Sequence, residues 1–273
     1  MIMNGNSRCA RSSMKTYRKH FQDCQRVYQG YEDQRLYRVL LEPDFIERTE
    51  EYDRLISSIS KQIDYKFKNE INTRREDMCL RLEKWDDVED LDRLAKMIVS
   101  KLEREVFGSH VKIEFLHVYR NLQNDAPAKS SWLWHYDDCP DEFLKLSVYL
   151  NDVTVDNAPM WCFLDKDQTP IKVRSSRISP NQSTSKVFEA SRIPEWFLKE
   201  EKGRGSNYAC LVGPAGKNFL FTPNIIHKAS KPIKGHRDAM FLFLRPTSVK
   251  LDDPLDSTEP RSNVRDVKKY RLD

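Results

Sequence analysis

Glycine is scarce in this 273-residue chain, with only 8. That scarcity argues against a fibrous or low-complexity chain, and no glycine-rich loop is present to cradle a nucleotide phosphate. No internal repeat and no alternation of strand and helix suggest a nucleotide-binding βαβ unit. Long hydrophobic runs are also missing: no stretch of about 18 apolar residues exists to make a membrane-spanning helix. The first residues, MIMNGNSRCARSS, lack the apolar segment of a secretory signal, so a cytoplasmic location is expected. The six cysteines (Cys9, Cys24, Cys79, Cys139, Cys162, Cys210) form no C-x-x-C pair. Zinc ribbons and fingers are thereby excluded, and the thiols are expected to be reduced and mostly buried. A strong charge excess is absent too. The 46 Lys and Arg nearly balance the 42 Asp and Glu, leaving +4, so a nucleic-acid partner is not expected. Arg8, Arg11, Lys15, Arg18, Lys19 and Arg26 make the one basic concentration, and residues 1–40 read as a basic, partly mobile terminal segment.

What is present is enough apolar residue, 39%, to fill one large core. A loose apolar stripe predicts a helix from Glu42 to about Asn69, with Pro43 in its first turn. A clearer one starts at Asp87 or Asp90 and carries Leu91, Leu94, Ala95, Ile98, Leu102 and Val106 to a stop at Gly108. After it come strands: Val111 to Tyr119, Trp132 to Tyr136, Leu144 to Leu150, Met160 to Leu164, Tyr208 to Val212, Phe219 to Phe221 and Ala239 to Leu244. A polar, proline-bearing insertion, Lys166 to Ser206, interrupts them, with one helix expected around Pro194 to Lys202; it reads as a lid. Helices followed by many short strands predict a mainly β core with flanking helices, one domain over residues 41–246, and a charged extension over 247–273.

The chemistry starts at WLWHYDD, Trp132 to Asp138. In an extended strand Leu133, His135 and Asp137 share one face, while Trp132, Trp134 and Tyr136 share the other and can pack on the helical layer. Asp138 falls on the wrong face to join His135. A carboxylate turned inward is costly unless it is paired or binds a cation. A third group is available in GPAGKNFLFTPNIIHKASKPIKGHRDAMFLFLRP, where His227 follows a turn at Pro223-Asn224 and Arg237 opens an apolar strand. Two histidines and one carboxylate, two of them at i and i+2, match the facial triad of non-haem Fe(II) oxygenases, which leaves coordination positions open. The planar fork of Arg237 suits the far carboxylate of a 2-oxo acid that chelates the iron.

With these residues in place, H135-Y-D137, the stretch KLSVYLNDVTVDNAPM, and GPAGKNFLFTPNIIH227 with Arg237 beyond it resemble the phytanoyl-CoA dioxygenase-like family of 2-oxoglutarate-dependent oxygenases. The resemblance spans roughly Val111 to Pro246. It implies a double-stranded β-helix, a jelly-roll core, with helices packed on one sheet. It implies Fe(II) held by His135, Asp137 and His227, 2-oxoglutarate as co-substrate anchored by Arg237, and dioxygen as oxidant. Further co-substrate contacts are implied at Tyr119, Arg120 or Asn124, and at Ser230. The last is displaced by one from the family's usual hydroxyl position, which here is Ala229. The chain departs from the pattern at Asn157-Ala158-Pro159, where relatives usually have glycine in the middle, and at WCFLDKDQTP, where they often have a P-G-S-H turn.

The expected activity is hydroxylation of a small organic molecule with release of succinate and carbon dioxide. Two other readings stay open at this point: a catalytically idle jelly roll that binds a small acid or a partner, and an oxygenase acting on a protein or polysaccharide. The substrate and the oligomeric state are not written in these residues. His117 is expected in the core or behind the ligands, and His236 at the surface.

Overall fold

Residue alternation along the strands builds two sheets, and the computed structural model shows how they face each other. It describes residues 5–28, 35–69, 73–75, 79–82, 85, 87–123, 125, 127–128, 130–137, 139–173 and 191–255. The strands are β1 (Leu41–Pro43), β2 (Thr73–Arg75), β3 (Cys79–Arg81), β4 (His110–Leu122), β5 (Leu144–Tyr149), β6 (Met160–Leu164), β7 (Asn207–Leu211), β8 (Asn218–Phe221), β9 (His227–Lys228) and β10 (His236–Thr247). The helices are α1 (Gly5–Val27), α2 (Glu50–Asn69), α3 (Leu91–Leu102) and α4 (Glu195–Gly203). The larger sheet runs β1-β8-β5-β10-β4-β3-β2 and the smaller β7-β6-β9. Every pairing in both is antiparallel.

The register sorts the larger sheet into two faces. Opposite residues share a face, so Leu146 of β5, Leu242 of β10, Leu116 of β4 and Leu220 of β8 lie together. They join Val118, Leu144, Val148, Met240 and Leu244 against Leu55, Ile59 and Ile63 of α2 and Leu94, Ile98 and Leu102 of α3 in the main core. Each such side chain contributes about 1.5–3 kcal/mol by leaving water. The exposed ion pairs, such as Arg93 with Glu51, are worth at most about 1 kcal/mol each. The helical layer is therefore held by its apolar stripe.

The opposite face carries Lys145, Ser147 and Tyr149 of β5, with Phe243, Phe241 and Ala239 of β10 across from them. It looks onto the smaller sheet. Phe221 packs with Met160, Cys162 and Leu164 of β6, and the Tyr149 hydroxyl donates to the Leu211 carbonyl of β7 at 2.8 Å. Two facing antiparallel sheets with helices on the outside of one make the jelly roll that the sequence led us to expect.

Several local expectations need correction. Residues 42–69 do not form one helix. Pro43 sits in the edge strand β1, and α2 starts at Glu50, where the Thr49 hydroxyl accepts from the Tyr52 N–H at 3.1 Å and Glu50, Glu51 and Asp53 face the positive helix end. The basic terminal segment, expected to be partly mobile, contains a helix. It spans residues 5–27, with Phe21 and Cys24 buried and Phe21 edge-on to Tyr37 and Phe107. The amphipathic spacing of Tyr17, Phe21 and Cys24 carried that signal among the basic residues. Trp132 to Tyr136 is no strand either; Ser130–Trp132 is a single 3-10 turn and only His135 bridges to neighbours. Trp134 and Tyr136 pack not on the helical layer but with Phe163, Ile193, Leu198 and Ile226, behind the smaller sheet. The middle of the expected lid, residues 174–190, and the extension from residue 256 lie outside the described residues, as does Asn124.

Candidate metal centre

His135 and His227 face each other as a bridge pair. Each backbone N–H donates to the other's carbonyl at 2.9 Å, so both side chains leave the backbone on the same side. His227 also lies opposite Cys162 of β6, whose thiol is buried between the sheets, so that side is the interior. The ring centroids are 4.4 Å apart. Each imidazole is held by the carbonyl two residues before it: His135 Nδ1 to Leu133 O at 2.8 Å and His227 Nδ1 to Ile225 O at 2.9 Å. A carbonyl can only accept, so Nδ1 carries the proton in both rings. Each Nε2 then carries the lone pair, on the inner side, in the form that a metal ion requires.

Asp137 completes the group. Its backbone N–H donates to Pro223 O at 3.1 Å. The Asn224 side chain grips the next turn of chain from both sides, accepting from the Cys139 N–H at 3.0 Å and donating to its carbonyl at 2.7 Å. The Pro223-Asn224 turn thus places the carboxylate and leads directly into His227. Asp137 Oδ2 lies 3.5 Å from His227 Nε2, and Oδ1 lies 4.0 Å from His135 Nε2. The three donor atoms lie within 4.8 Å of one another.

Burial pushes the His135 imidazole down to about 3, helped by the neighbouring His227, and burial also lowers His227. Burial alone would raise the Asp137 carboxyl, but the Lys145 ammonium and the two histidines outweigh it and hold it at about 2. Neutral imidazoles beside an ionised carboxylate are the states that a cation requires of its ligands.

Arg237 is buried on the inner face at the head of β10, opposite Asn121 of β4, and donates to the Ala158 carbonyl at 2.5 Å. The Ser230 hydroxyl donates to the adjacent Pro159 carbonyl at 2.7 Å, so the structure brings Ser230 and Arg237 to one stretch of backbone. Tyr119 shares the inner face, its hydroxyl 2.9 Å from His117 Nδ1. Arg120 does not join them, which corrects its expected role. It points to the helical side, where its guanidinium binds Asp238 at 2.8 and 2.6 Å and Asp64 of α2 at 2.6 Å. One residue of alternation separates a site side chain from a structural one. Asp64, His236 and Asp238 also have donor atoms within 4.8 Å, but Arg120 already bonds both carboxylates.

Three residues were missed. Lys145, buried on β5, donates to Asp137 Oδ2 at 2.5 Å. Its signal was a lysine on the inward phase of an otherwise apolar strand. Arg192, from within the insertion just ahead of α4, bridges His135 on its other side and shares its face. Asn224 had no sequence signal beyond its turn.

Comparison with known proteins agrees with the geometry. Residues 40–239 match the phytanoyl-CoA dioxygenase (PhyH) family. The chain is 24% identical over 143 residues to an L-proline trans-4-hydroxylase of Streptomyces griseoviridis, across 47% of this chain and 53% of that protein. It thus spans about half the length of that curated relative. Among solved structures it resembles the epimerase SnoN in complex with Fe3+, alpha ketoglutarate and nogalamycin RO. The TM-score is 0.52 and the identity 12%, covering 86% of this chain and 84% of that one. It also resembles EctD from S. alaskensis with 2-oxoglutarate and 5-hydroxyectoine. Here the TM-score is 0.51 and the identity 17%, covering 82% and 78%. At these identities the likenesses establish the shared fold.

Proposed function

Since the chain belongs to the phytanoyl-CoA dioxygenase (PhyH) family, we propose that it is an Fe(II)- and 2-oxoglutarate-dependent oxygenase that hydroxylates a small organic molecule. The observation that carries this reading is the convergence of His135 Nε2, Asp137 and His227 Nε2 within 4.8 Å, with both Nδ1 atoms tied to backbone carbonyls. The donor set fits the proposed ion: two neutral imidazoles and one carboxylate, on one side of a buried space, are the ligands of an iron with open positions. When bound, iron with 2-oxoglutarate and dioxygen supplies the oxidising power, with succinate and carbon dioxide as by-products.

The chain's own residues do the rest. The carbonyls of Leu133 and Ile225 fix the imidazole tautomers and ring directions. The Pro223-Asn224 turn fixes the carboxylate. Arg237, beside the Ala158 carbonyl, is the cation on this face suited to the distal carboxylate of 2-oxoglutarate, with Ser230 bonded to the neighbouring Pro159 carbonyl and Tyr119 on the same face. Phe115, Phe241 and Phe243 line the inner face and exclude water from the reacting side.

The test is succinate formation from 2-oxoglutarate under Fe(II) and oxygen, with a panel of small-molecule substrates. The wild type is expected to form succinate, and Asp137→Ala and His227→Ala to form none. A silent wild type, or variants as active as the wild type, would remove the reading.

A further inference from the structure

The inner face of the larger sheet is sealed on one side and partly open on the other. Over β8 and β5 the smaller sheet covers it, and Tyr149, Phe219 and Phe221 are fully buried. Over β10 the inner rings Phe241 and Phe243 stay partly open, although Met240 and Leu242, which face the helices, are fully buried. The two open rings belong to a continuous aromatic wall. Phe243 lies 5.7 Å from Phe115 and 5.8 Å from His117, centre to centre. His117 lies 5.4 Å from Tyr119, and Tyr119 lies 6.3 Å from Phe241. Polar groups mark the ends of the wall. Arg237 stands at one, and Arg245, bonded to Glu114 at 2.8 Å, at the other.

This wall adjoins the candidate metal centre. The Lys145 ammonium lies 4.1 Å from the centre of the Phe243 ring and 2.5 Å from Asp137 Oδ2, so one ammonium separates ring from carboxylate. Arg237, at the far end, is the co-substrate's anchor in the reading above, on which this inference rests. The Phe243 end, beside Asp137, is then left for the substrate. Apolar surface left open in a site gains by being covered with apolar surface, and a ring face is matched best by another ring. Between the two polar ends the inner residues of β4 and β10 include no carboxylate, so the ammonium of an amino acid finds no counter-ion along the wall. We propose that the substrate of this site carries an aromatic ring, which lies against Phe241 and Phe243 with the position to be hydroxylated turned toward the metal.

The experiment uses the full chain loaded with Mn(II) and 2-oxoglutarate. Three probes are compared: 2-naphthol, the acyclic and similarly apolar 1-octanol, and L-proline. Calorimetry gives their affinities, and proton line widths report whether a bound probe lies beside the paramagnetic ion, with Zn(II)-loaded protein as the diamagnetic reference. The wild type is expected to bind 2-naphthol more tightly than 1-octanol by about threefold to tenfold, the worth of an aromatic pair beyond its burial. The naphthol lines should broaden with Mn(II) and not with Zn(II), and L-proline should show neither binding nor broadening. Phe241→Leu and Phe243→Leu keep the wall apolar but each remove a ring, so each should shrink the preference for 2-naphthol over 1-octanol. A probe order with 1-octanol or L-proline bound as tightly as 2-naphthol would overturn the proposal. So would naphthol lines that Mn(II) leaves sharp, or a preference that survives in both leucine variants. A wild type that binds neither Mn(II) nor 2-oxoglutarate would instead remove the oxygenase reading, and this inference with it.

Discussion

At the scale of single residues, the site depends on which atom of a side chain is already committed. Arg237 brings a planar guanidinium fork to the inner face and donates one N–H to the Ala158 carbonyl. A lysine there has the charge without the fork. Arg237→Lys is expected to raise the KM for 2-oxoglutarate by about tenfold or more, as a charged hydrogen bond is worth about 1.5–3 kcal/mol. Metal affinity, measured by calorimetry, should not change; an unaltered KM would count against the anchor. Ala158 itself adopts a positive φ of 71°, a left-handed conformation that favours glycine. This explains physically why the alanine of Asn157-Ala158-Pro159 stood out. Replacing it by glycine relieves roughly 1–2 kcal/mol of strain. Set against that are a buried methyl worth about 0.8 kcal/mol and the backbone entropy of glycine, about 0.5–1 kcal/mol. The gain and the losses nearly cancel, so alanine is tolerable there.

At the scale of elements, β4 and β10 carry the division of labour. Their inner side chains serve the site, and their outer ones bind the helices. Asp238, next to Arg237, closes an ion pair with Arg120 that Asp64 extends to α2. Asp238→Ala leaves a buried guanidinium half satisfied and is expected to cost about 3 kcal/mol of stability in urea unfolding. Manganese affinity should be retained. A loss of metal binding with stability intact would mean that this pair supports the site instead.

The elements also show what could be read in advance. Strands β5, β6, β8 and β10 were legible because β-branched and aromatic residues are bounded by turn residues there, and α3 because its apolar stripe repeats at three and four. The convergence of His135, Asp137 and His227 was legible because H-x-D fixes its own spacing and His227 lies after a marked turn. Trp132 to Tyr136 misled because aromatics suggest a strand, whereas the ladder there is one bridge, His135, made with residues far off in the chain. Arg120 misled because nearness in sequence says nothing of face until the register is known. Lys145 was visible as a letter, but its partner is set by tertiary packing.

At the scale of the whole molecule, the buried histidines make the metal-free protein sensitive to acid. The folded His135 titrates near 3, below its unfolded value of about 6.5. Between those values the unfolded chain takes a proton that the folded chain refuses. Stability is therefore full above about pH 6.5 and falls as pH drops toward 3, by about 1.4 kcal/mol per pH unit for one such group. His227, lowered by the same burial, steepens the fall. Asp137, already ionised down to about 2, acts only below its unfolded value of about 3.9. Thermal unfolding of the metal-free protein across pH 4–7 should show this slope, and His135→Gln should flatten it. An equal slope in the variant would mean that other groups set the acid limit. No helix among the described residues is long and apolar enough to cross a membrane.

The pairing of His135 with His227 joins an early part of the jelly roll to a late one, and this has a consequence in time. A ribosome delivers His135 and Asp137 long before His227, and chains fold in the order in which they are made. Two ligands two residues apart hold a divalent ion weakly, and the third donor, the second imidazole, arrives only with β9, just ahead of the closing strand β10. If these residues bind iron as proposed, the nascent chain has no finished site to offer to whichever metal binds most strongly in the Irving–Williams order. Ion choice is deferred until the barrel has closed, when burial and the fixed imidazole tautomers can take part in it.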